Sequence, residues 1–175
     1  MDVSDLTKRT KLCSIQDIRL ELPPNQTSDI QAGSTLLGKI ISSKNLGLSI
    51  IKDIVTKAWR PVYPLEVKKL HCDIFLFRFH HESDALKAYN RRPWSIRGGH
   101  LILKKWSPSL SWQEVDFSKS SFWLQVHGLP ALWLSEVNLR NIGALVGEVL
   151  EVDFTGDGGP EWKRFSRLRI DIDIA

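Results

Sequence analysis

Three patterns in this sequence predict an α+β chain. Asp73 to His80 (DIFLFRFH) alternates aromatic and other residues with a period of two, as a strand does. Asn45 to Trp59 places Leu48, Ile51, Ile54, Val55 and Ala58 on one face of a helix. Arg167 to Ile174 alternates again, with Leu168, Ile170, Ile172 and Ile174 facing one way and Arg167, Arg169, Asp171 and Asp173 the other. A length of 175 residues suits one medium domain or two small subdomains, and 42% apolar residues argue against wholesale disorder.

The elements follow in order. Residues 1–33 read as a lead-in segment, partly disordered, in which Ile18, Leu20 and Leu22 alternate until Pro23-Pro24 stops them. Thr35 to Ser42 reads as a first strand. The helix ending at Trp59 is closed by Pro61 and Pro64, and Leu65 to Leu70 can form a second strand. Asp73 to His80 is the third. A short helix starts at Glu82 or Ser83 and runs to Tyr89, and Gly98-Gly99 turns the chain into a fourth strand, His100 to Trp106. Residues 34–108 thus spell β-α-β-β-α-β, a ferredoxin-like (RRM-like) subdomain. Residues 109–175 read as a second subdomain packed on the first. Phe122 to His127 is a strand, and Ser135 caps a helix to Val146 with Val137, Leu139, Ile142 and Leu145 apolar. Glu148 to Phe154 and Arg167 to Ile174 complete a β-α-β-β order. The last strand meets the end of the sequence with no stop signal, so a longer parent protein is expected.

Charge is polarised along the chain. Residues 57–106 carry a net charge of +7, residues 1–56 only +1, and residues 107–175 carry −4. A basic middle is a footprint for phosphate. No apolar run approaches a membrane span, and the first residues lack a signal core. Cys13 and Cys72 are far apart and exclude a four-cysteine zinc site. The expectation is a reducing compartment, nuclear or cytoplasmic.

Several near-motifs fail on chemistry. Gly33 to Lys39 spells G-x-x-x-x-G-K, but Ile40 stands where a P-loop needs a hydroxyl for Mg²⁺, and the glycine lies inside an apolar run. A strand glycine approached closely by another segment is the better reading. His71, Cys72, His80 and His81 bracket one strand, whose ends are roughly 30 Å apart at its ordinary rise, so they cannot share zinc. Asp153 to Gly158 begins like a calcium loop, but Arg164 occupies the position of the bidentate Glu. Asp171 and Asp173 share a strand face with Arg167 and Arg169, which favours ion pairing over metal. No nucleophile-base pair stands out. No cofactor, no metal and no catalysis are expected.

Nucleic-acid binding is the harder case. RNA-recognition sheets stack bases on aromatics of their first and third strands, yet Thr35 to Ser42 has none. Phe75, Phe77 and Phe79 could stack bases if they faced outward. Placed beneath the helices, each ring would gain roughly 1.5–3 kcal/mol by burial. The buried orientation is preferred, and it leaves Ile74, Leu76 and Arg78 on the outer face, with Leu101 and Leu103 or Ile102 beside them. Soluble monomers seldom leave such a patch open, so the second half or a partner should cover it. Contact with single-stranded RNA or DNA would then fall to loops and edges: Arg60, Lys68, Lys69, Arg91, Arg92, Trp94, Arg97, Lys104 and Lys105.

Leu37-Gly38-Lys39, Ala58 to Pro61, Phe75 to Phe79, Arg92-Pro93-Trp94, Leu101 to Trp106 with Pro108, and Phe122 to Pro130 (FWLQVHGLP) occur in order. Together they resemble the plant domain-of-unknown-function family 4283 over roughly residues 34–175. The resemblance implies a gag-like domain from LINE-type, non-LTR retrotransposons, with no catalytic residues of its own. Members commonly continue into a C-x-x-C…H…C zinc knuckle, which is absent from this sequence. The functional expectation is a non-catalytic, sequence-nonspecific nucleic-acid-binding domain. The alternative is a protein-interaction or self-association module using the apolar sheet face, with no direct nucleic-acid contact.

Overall fold

The computed structural model describes residues 33–153 and 165–174. The lead-in strand around Leu20 and the glycine-rich turn after Asp153 lie outside them. The described residues form a mixed α/β body with two antiparallel sheets and three α-helices.

The first sheet holds five strands: β1 (Thr35–Ile41), β2 (Glu66–Lys69), β3 (Ile74–Arg78), β4 (Trp94–Ile96) and β5 (Gly99–Lys105), in the order β2-β3-β1-β5-β4. Helix α1 (Leu48–Trp59) connects β1 to β2, and α2 (Glu82–Asn90) follows β3. Ile51 and Val55 of α1, with Ala85 and Ala88 of α2, bury against Leu36, Ile40, Phe75, Phe77, Leu101 and Leu103. Phe75, Phe77 and Phe79 are all buried, so the rings lie beneath the helices and cannot stack bases. Trp59 closes this core, with its ring centroid 5.0 Å from Phe77 and 6.1 Å from Trp94. Strand β4 is an element the sequence reading omits. Three residues are too few to show an alternation, and Gly98 at φ +82° turns them back onto β5.

The outer face carries Leu37, Leu76 and Ile102, and these are only 0%, 7% and 2% exposed. Leu101 and Leu103 instead belong to the helix side. The segment after β5 runs back along the outer face. Trp106 N–H donates to the Thr35 carbonyl at one end of the sheet, and the Trp112 ring stacks on His71 at the other, 6.2 Å between centroids. On the way Asp116 comes within the field of Lys104. An apolar sheet face open to a partner, as the self-association alternative requires, is therefore not what the fold presents.

The second sheet has the order β6-β8-β7, from β6 (Lys119–Val126), β7 (Glu148–Asp153) and β8 (Ser166–Asp173), with α3 (Glu136–Ala144) between β6 and β7. Ser135 caps α3 by accepting the Asn138 N–H at 3.2 Å. Leu139, Leu168 and Ile170 form its centre, while Val137 and Leu145 of the expected apolar face are exposed. Strand β6 starts at Lys119, earlier than its apolar run suggests. Ser120 and Ser121 are buried there by polar partners: Ser120 Oγ lies 2.7 Å from His100 Nε2, and Ser121 Oγ donates to the Asp171 carboxylate.

Candidate nucleic-acid interface

The C-terminal end of α2 gathers the densest group of the expected contact residues. Arg91 follows the helix directly and is exposed. Arg92 folds back over Tyr89, its guanidinium carbon 3.5 Å from the ring centroid. Arg92 Nε donates to the Tyr89 carbonyl at 2.7 Å and Nη1 to the Leu103 carbonyl at 3.3 Å. Lys105, at the end of β5, brings its ammonium 5.1 Å from the same Tyr89 ring. Cations belong at a helix C-terminus, where unpaired carbonyls concentrate negative potential. Trp94 completes the corner but is not free to stack on a base. Its indole N–H donates to the Ala88 carbonyl at 2.7 Å and its ring packs on the core.

The other expected residues lie elsewhere. Arg97 occupies the β4–β5 turn at φ +49°, six residues of strand from Lys105, or roughly 20 Å. Lys68 and Lys69 sit on β2, the edge strand three places from β5 in the sheet. Lys68 pairs with Glu66 at 2.9 Å, and Lys69 lies 5.7 Å over the Phe75 ring. Arg60 takes the left-handed cap of α1 at φ +46°. Lys104 projects from the outer face of β5 toward Asp116. The nine residues are thus not one continuous patch. Arg91, Arg92, Trp94 and Lys105 lie at one corner, and the remaining five are distributed over both edges, the end of α1 and the outer face.

Two cations of the outer face were not among those residues: Lys39 on β1 and Arg78 on β3. Each lies two residues from buried Leu37 or Leu76 and shares its face, the same strand period that places Arg78 outside from sequence and that would have found Lys39. Both are engaged, Lys39 Nζ with Asp73 at 4.0 Å and Arg78 with Glu66 at 3.2 Å. The Glu66 carboxyl is held below its ordinary range by the Lys68 hydrogen bond, with the Arg78 charge adding to it. By contrast, among the described residues no carboxylate lies within ion-pair distance of Arg60, Lys69, Arg91, Arg92, Arg97, Lys104 or Lys105.

The fold accounts for the near-motifs as well. Gly38-Lys39 lies inside β1 between two paired strands, and a side chain at Gly38 would stand 2.5 Å from the Phe77 ring. Asp153 accepts from Arg167 at 2.6 Å, and Arg169 meets Glu151 at 2.9 Å. Among the described residues no group of three His, Cys, Asp or Glu is placed to hold a metal, and no helix is long and apolar enough to cross a membrane.

No curated protein matches the chain closely enough to count as a relative. A family model does match, and the matched stretch takes in the five-stranded sheet, both of its helices and the segment along its outer face. Residues 31–114 match the model of the family described as Domain of unknown function (DUF4283).

Proposed function

We propose that the chain is a non-catalytic, gag-like nucleic-acid-binding domain of retrotransposon origin that holds single strands through their phosphates without reading sequence. The observation that carries this reading is the corner at the end of α2, where Arg92 and Lys105 meet over the Tyr89 ring next to the exposed Arg91, and where no carboxylate among the described residues pairs with any of the three. Such cations position a backbone and read little sequence. The order β2-β3-β1-β5, with both helices on one face, supports a ferredoxin-like reading of the first half. The family's plant and LINE-type setting rests on the ordered motifs that run on to Pro130.

Arg92 is tied into the fold by its two carbonyl bonds, so Arg91 and Lys105 are the residues to neutralise. The test is a salt titration of binding to single-stranded RNA and DNA, for the wild type and for Arg91→Gln with Lys105→Gln. The double variant should bind every sequence more weakly. Binding that is independent of salt, or unaffected by both substitutions, would remove the corner from consideration.

A second reading, self-association, is favoured by one observation. Leu132, Val137 and Leu145 are 84%, 67% and 87% exposed on and beside α3. Association through that surface would persist at high salt, which sedimentation at two salt concentrations would read directly.

A further inference from the structure

A cluster of exposed rings stands at the opposite end of α2. Tyr63, in the loop after α1, lies 4.6 Å from the His80 ring and 4.9 Å from the His81 ring, and the two histidines are themselves 4.9 Å apart. All three residues are exposed. The remaining histidines are differently held: His71 is within 3.4 Å of Asp73, His100 within 2.7 Å of Ser120 and His127 within 3.2 Å of Gln125. The side chains of His80, His81 and Tyr63 make no hydrogen bond among the described residues, so their polar edges are open while the exposed rings pack on one another. Of the two carboxylates in the first turn of α2, Asp84 is buried and already accepts from the Val62 N–H at 2.9 Å and from Lys87 at 3.2 Å, and the Glu82 side chain lies against Gly33.

From this we infer that Tyr63, His80 and His81 form a stacking site for an unpaired nucleobase of the strand whose phosphates lie at Arg91 and Lys105; the inference rests on the nucleic-acid reading above. Helix α2 sets the distance between the two. Its nine residues span roughly 14 Å, a length that a few nucleotides bridge. Lys87 and Asn90 are exposed on the helix between its ends. Histidine and tyrosine rings stack bases of any sequence, and open ring nitrogens and a phenol can meet a base edge.

The experiment compares wild type with the triple variant Tyr63→Ala, His80→Ala and His81→Ala, using oligouridylate and oligothymidylate of 12 nucleotides, and circular dichroism to confirm folding. The stacking site predicts a roughly five- to hundredfold loss of affinity per stacked base with an unchanged salt slope, since no phosphate contact is removed. Tyr63→Phe alone should retain most of the affinity, because it keeps the ring face. A folded triple variant that binds like wild type overturns the stacking site and leaves the phosphate corner standing. A wild type that binds neither oligonucleotide overturns both.

Discussion

At Gly38 the strand backbone has no room for even one added carbon. A Cβ there would lie 2.5 Å from the Phe77 ring and 2.9 Å from Leu101. Gly38→Ala should therefore lower stability by about 1–3 kcal/mol through overpacking, read as a fall in the denaturant midpoint with no change in slope. His100 gives a residue-scale pH dependence. Burial against Phe122, whose ring stacks at 4.4 Å, holds its pKa below the ordinary 6.5. The unfolded chain then binds the proton more readily, so this contribution is full above 6.5 and is lost as pH falls through the depressed folded value. The unfolding midpoint should drop as pH falls below about 6.5, and His100→Gln should flatten that drop. An equally steep fall in the variant would assign the dependence to other groups. Trp94→Phe removes the bond to the Ala88 carbonyl and should cost about 1 kcal/mol in the same measurement.

At the level of elements, most of the fold was legible because apolar residues recur with the right period. Ser135 stood before an apolar helix pattern, and the structure shows it accepting the Asn138 N–H. Ser135→Ala should cost about 1 kcal/mol, measured by thermal unfolding of the whole chain. The elements that escaped did so for definable reasons. Helix α1 begins at Leu48 after Gly47, which offers no side chain for a cap, so the apolar pattern alone could not fix its start. Strand β4 is too short for periodicity. The first residues of β6 are held by Ser120 with His100 and Ser121 with Asp171, partners 20 and 50 residues away that no local pattern reveals. The site was half legible by the same logic. Composition located the basic stretch, but only the register separates Lys105 from Arg97 and shows the Trp94 indole and the Arg92 guanidinium already bonded.

Across the whole described body, Arg169 links the second sheet to the corner where Arg91 and Arg92 lie. Its Nη1 donates to the Asn90 carbonyl and to the Arg92 carbonyl, and its Nη2 meets Glu151 at 2.9 Å. The alternation of Arg167 to Ile174 announced the strand, yet nothing local announced a partner 77 residues earlier. The basic corner is thus built by the whole body, with a backbone braced from behind by Arg169 and Arg91 and Lys105 exposed in front. Phosphate binding at that corner is tested most directly by the dependence of affinity on salt for a single-stranded oligonucleotide. Wild type should lose affinity linearly on a logarithmic salt scale, and Arg91→Gln with Lys105→Gln should flatten the slope by up to about 0.7 for each lost contact, equally for RNA and DNA of any sequence. A folded double variant whose slope and affinity match wild type would contradict it.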